Sequence, residues 1–154
     1  MTESTRSTPP VSDEEFIKTF TRIGFTFCGG LVLVLALGVF FIAPNGSIHT
    51  RGVMIGVALG LVSWFASRWI TSNAVSKAAN TDPKNQAGAG AIGPAVFMGI
   101  AFADTPALVG LALASTDASD IGPLVIAVPV AIAAIIFNVS GPAALRRHLD
   151  RLRA

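Results

Sequence analysis

Residues 91–115 read AIGPAVFMGIAFADTPALVGLALAS. The stretch is apolar for about the length of helix that crosses a bilayer, on the order of 20 residues. It carries one acid, Asp104, near its middle, and Pro106 two residues later. An ionisable group at that depth is costly and usually has a role or a partner. The rest of the sequence sets the surroundings of this carboxyl.

The chain has 154 residues, of which 52% are hydrophobic and 13% charged. Soluble domains carry about 25% charged residues. The few charges cluster between long uncharged blocks, as in a polytopic membrane protein. The 15 glycines fit helices that approach closely in lipid. The net charge of +2 does not point to nucleic acid, because the bases sit at the ends of apolar blocks, where they set topology. The single Cys28 has no cysteine partner and no metal-ligand spacing around it, and reads as a buried thiol.

The sequence predicts an all-α integral membrane protein. Residues 1–12 read as a flexible polar tail, and 13–141 as a domain of four transmembrane helices. The spans are about 23–43, 52–70, 92–114 and 121–140. Residues 142–154 read as a basic amphipathic helix. Ser12 and Glu15 have capping-box spacing, which starts a helix at Asp13. Phe16, Phe20, Ile23 and Phe27 lie on roughly one face. Either a short surface helix precedes the first span, or that span begins early. Pro44-Asn45-Gly46-Ser47 marks a turn.

In the second span Gly52, Gly56 and Gly60 repeat every four residues, a seam for close helix packing. Arg68 and Trp69 mark its interfacial end. The polar stretch 71–90 extends that helix to about Ala79 before Pro83 stops it. Pro129 lies inside the fourth span, where it frees the carbonyl of Val125 and predicts a kink. Asn138 is a candidate interhelical hydrogen-bond donor. In the tail, Leu145, Leu149 and Leu152 alternate with Arg146, Arg147, Arg151 and Arg153, which suits an anionic membrane surface or a partner.

Lys and Arg counts set the orientation. With both termini cytoplasmic, ten of the eleven bases lie inside and only Arg51 outside. The expected location is the cell membrane.

No base accompanies Asp104 within the apolar blocks. Its carboxyl is therefore protonated, partnered across helices, or facing a polar cavity or another subunit. Pro106 leaves the carbonyl of Phe102 without its usual donor, so Asp104-Thr105-Pro106 also reads as a kink held by local hydrogen bonds. No metal, cofactor or catalytic motif is present, and His49 and His148 lie outside the apolar blocks, so neither an enzyme nor a haem site is expected.

From Gly52 to Ala114 the sequence resembles the c subunit, or proteolipid, of rotary ATP synthases. The Gly-rich second span, the loop AVSKAANTDPKNQ and the helix GIAFADTPALVGLALA resemble that family's helical hairpin. The resemblance implies that Asp104 stands at the ion-carrying position. The glycine spacing of four, the Thr81-Asp82-Pro83 triplet in the loop and the two extra spans depart from the two-helix form.

Two functional readings follow. One is an accessory subunit of a larger membrane complex, for example a respiratory one, held by lipids and other subunits, with homo-oligomers also open. The other is a proteolipid-like subunit exchanging a proton at Asp104. A small multidrug exporter is set aside, because its essential acid lies in the first of four spans, which here has none.

Overall fold

The computed structural model describes residues 12–81 and 89–153. Residues 1–11 of the predicted tail, the Asp82-Pro83 stop and Lys84 lie outside the described residues. Helix α1 spans Asp13–Leu37 and continues as a π turn over Gly38–Ile42. Helix α2 spans Thr50–Thr81, and a 3-10 turn at Ala89–Ile92 leads into α3, Gly93–Thr116. Helix α4, Gly122–Ala134, passes into a second π turn at Ile135–Ser140, and α5 covers Pro142–Arg153. The described residues are all-helical, with four helices long and apolar enough to cross a membrane.

The helix ends follow local chemistry. Ser12 accepts a hydrogen bond from the Glu15 amide at 3.3 Å and caps α1 at the predicted position. The helix then runs unbroken to Leu37, so no separate surface helix precedes the first span. Pro94 and Pro123 stand in the first turns of α3 and α4, where no intrahelical amide is lost. Both Pro106 and Pro129 lie inside continuous helix. The fourth span, expected over about 121–140 with a kink at Pro129, changes to a π turn at Ile135.

Helices α2, α3 and α4 pack against one another. In the span Gly122–Arg153, which begins with α4, 56% of the most apolar stretch is buried, against 17% in Asp13–Ile42, so α4 is central and α1 peripheral. Outward-facing Phe25, Phe40, Phe41, Val62, Phe65, Phe97 and Leu108 give the apolar exterior expected where the solvent is lipid. Phe27, grouped by periodicity with the inward Phe16 and Phe20, also faces out.

The glycine stripe of α2 lies against α4. A Cβ on Gly56 would come within 2.7 Å of Ile126 Cβ, and one on Gly60 within 3.0 Å of Val130 Cβ. At the stripe's start, a Cβ on Gly52 would strike the Asp120 carboxylate. Along the same face come Ser63, Ser67, Thr71 and Val75, all buried. Ser63 donates to the Ala103 carbonyl of α3 at 2.7 Å. One face of small residues thus carries α2 from α4 at one end to α3 at the other.

Both described ends of the chain lie at the same end of the bundle. Arg153 pairs with Asp13 at 2.6 Å, and Arg151 donates to Ser72 Oγ at 3.0 Å. The apolar face of α5, Leu145, Leu149 and Leu152, is buried in the protein's own core rather than free for a membrane surface.

Candidate functional site

Asp104 lies on α3 where it faces peripheral α1. With Thr26, Phe27, Gly30, Leu31, Val34 and Leu108 it lines an open groove of about 310 Å³. The groove exists because α1 offers small residues here. A Cβ on Gly29 or Gly30 would meet nothing within 4 Å. The Thr26 hydroxyl is turned to its own helix and donates to the Arg22 carbonyl at 3.0 Å. Among the described residues, Asp104 has neither an ion pair nor a hydrogen bond. Thr105 donates instead to the Ala101 carbonyl at 2.7 Å. Local hydrogen bonding at Pro106 therefore comes from Thr105 and Ser63, on the carbonyls flanking Phe102, and leaves the carboxyl of Asp104 in the groove. Pro106 itself is buried against the bundle, whereas Pro129 is exposed.

At the end that holds the chain termini a second constellation forms. The π turn 135–140 ends α4 with carbonyls in search of donors. Gly141 N–H donates to Ile136, Arg147 Nη2 to Phe137 at 2.6 Å and His148 Nε2 to Asn138 at 3.0 Å. Asn138 in turn donates its side-chain amide to the Trp64 carbonyl of α2 at 3.2 Å, the interhelical bond that the sequence suggested. His148 is only 6% exposed although it sits in a basic tail. Its position one turn from Leu145 and Leu152 on the apolar face of α5 is the sequence signal for that burial. Arg68, Arg147 and Arg151 surround this polar joint. Arg146 is exposed and lines no part of it, and Trp69 is 67% exposed.

No protein-family model, curated protein or solved structure matches the chain.

The opposite end carries a polar knot that sequence reading missed. Asp120 Oδ1 accepts from the His49 amide at 3.3 Å and the Gly122 amide at 2.9 Å, at the starts of α2 and α4. One carboxylate thus faces the positive ends of two helix dipoles. The Ser47 amide donates to the Ser119 carbonyl, and the Ile121 amide to the Ser47 carbonyl, which joins the two loops. Nearby, hydrogen bonds from Ser119 hold the Asp117 carboxyl below the usual aspartate range. The only signal in the sequence was an acid two residues before a Gly-Pro helix start.

Among the described residues, no group of three or more His, Cys, Asp or Glu side chains is placed to hold a metal ion. Cys28 is buried.

Proposed function

We propose that this chain is a small, non-catalytic subunit of a larger membrane assembly, with both termini on the cytoplasmic side of the cell membrane. It docks through the groove between α1 and α3, with Asp104 as the polar anchor. The observation that supports this is the placement of Asp104: an acid in the middle of a candidate span, opening outward, with no partner among the described residues. Leaving such a group against lipid costs about 2.5–3.5 kcal/mol on insertion scales. A transmembrane helix from another subunit, bearing a hydrogen-bond donor or a base, would offset that cost. The space outside Gly29 and Gly30 lets its backbone come near.

Purification in mild detergent tests this reading. The wild-type chain is expected to bring a second membrane protein with it. Asp104→Asn, which still hydrogen-bonds, keeps that protein, and Asp104→Leu loses it. A stable lone monomer, or equal recovery with Asp104→Leu, would overturn the reading.

The same outward opening favours a second reading, that Asp104 exchanges a proton as in a proteolipid. Dicyclohexylcarbodiimide modifies a protonated carboxyl that it reaches from lipid. Labelling at Asp104, together with loss of proton movement in an Asp104→Asn variant that still assembles, would select this reading. Absence of labelling excludes it.

A further inference from the structure

We infer that the notch where α2, the end of α4 and α5 meet binds the phosphate group of an anionic phospholipid. Arg68 from α2 and Arg147 and Arg151 from α5 line it, with Asn138 and His148 at its floor. No acid lines it. The ion pairs of the described residues use other bases, Arg153 with Asp13 and His49 with Asp120. Two of the three guanidinium groups are instead positioned by neutral acceptors. Arg147 donates to the Phe137 and Ala143 carbonyls, and Arg151 to Ser72 Oγ. Those bonds orient the cations without neutralising them. Three guanidinium groups lining one notch repel each other until an anion arrives, and their planar forks match phosphate oxygens.

The size of the notch narrows the ligand. Its volume is about 20 Å³, enough for a phosphoryl oxygen rather than a whole headgroup. The remainder of the ligand must lie outside, and the outside surface is apolar. Phe65, Trp69 and Phe137 expose their rings beside Arg68 and Asn138. Trp64 meets Phe137 at a tilt of 46°, with ring centroids 6.5 Å apart. Such an apron receives acyl chains, and an indole at this level belongs among headgroups. A lipid phosphate satisfies both parts of the surface, whereas free phosphate satisfies only the notch.

Native mass spectrometry of the full chain in detergent, with phosphatidylglycerol and phosphatidylcholine supplied at equal concentration, reads this directly. The wild type is expected to retain phosphatidylglycerol selectively. Arg68→Gln with Arg151→Gln should weaken that retention about tenfold or more, whereas Arg22→Gln with Arg146→Gln, an equal charge change away from the notch, should weaken it by less than about twofold. Arg68→Gln alone keeps the test readable if loss of Arg151 undocks α5, because no hydrogen bond holds Arg68 among the described residues. Equal retention of both lipids, or equal loss in the two double variants, would overturn the inference. So would displacement of the lipid by millimolar inorganic phosphate with no preference between the lipids. Loss of a copurifying protein from the Arg68/Arg151 variant, without lipid selectivity in the wild type, would assign the notch to a partner's acidic segment and likewise overturn it. Asp104 plays no part in these outcomes, so they are independent of the docking groove.

Discussion

Asp120 is the residue on which one end of the bundle depends. Its carboxylate accepts from amides that open two helices, and a Cβ on Gly52 or Gly122 would intrude on it. Asp120→Ala leaves both amides without that acceptor and should cost about 1–2 kcal/mol. Asp120→Asn keeps an acceptor oxygen but not the charge, and should fall between. Thermal unfolding in detergent orders the three proteins. Asp117 behaves differently because it is exposed and is held by Ser119. Hydrogen bonds from Ser119 lower its folded-state pKa. Its contribution is therefore present above the unfolded value of about 3.9 and is lost as the pH falls through the folded one. The difference in Tm between wild type and Asp117→Ala should be constant from about pH 8 to 5 and shrink below about pH 4. A difference that grows on acidification would contradict this hydrogen-bonding account.

Helix α2 shows what a single element can bring together. Its stripe of Gly52, Gly56 and Gly60 is visible in the sequence, because a repeat of four residues survives any context. Its continuation through Ser63, Ser67, Thr71 and Val75 is the same face, but hydroxyls on a helix also point to solvent in loops and extensions. Only the carbonyl of Ala103 on the neighbouring helix shows why Ser63 is there. The π turns were illegible for a related reason: the Ile135–Ser140 turn ends on carbonyls satisfied by α5, which lies beyond the apolar block. The groove at Asp104 was half legible. The acid and its depth could be read, but the face it occupies depends on how α1 lies across α3. Two substitutions and one control test the stripe. Gly56→Leu drives atoms into Ile126 and should destabilise by about 1–3 kcal/mol, whereas Val57→Leu on the exposed side should change little. Ser63→Ala removes one interhelical hydrogen bond and should cost about 0.6 kcal/mol, the usual value for such bonds in membrane proteins. Unfolding of the purified variants in denaturing detergent measures all three.

The whole molecule is asymmetric from end to end. The described chain ends, the far end of α2 and helix α5 share one side, with Lys18, Arg22, Arg68, Lys77 and the four arginines of α5. The other side holds the loops around Ser47 and Asp120, with Arg51 as its only Lys or Arg among the described residues. Helix α2 has 32 residues, about 48 Å at 1.5 Å per residue, and exceeds a hydrocarbon core of about 30 Å. Because α2 starts beside the Asp120 knot, the proposed topology puts the excess at the basic end and residues near Ser76 in water. Positive charges stay on the cytoplasmic side during insertion. On a Cys28→Ala background, a membrane-impermeant maleimide should label Asn45→Cys in intact cells. It should reach Ser76→Cys only after the membrane is opened. Labelling of Ser76→Cys in intact cells would invert the topology. The α5 arginines and the notch would then face outward, and Asp104 would lie on a span running inward.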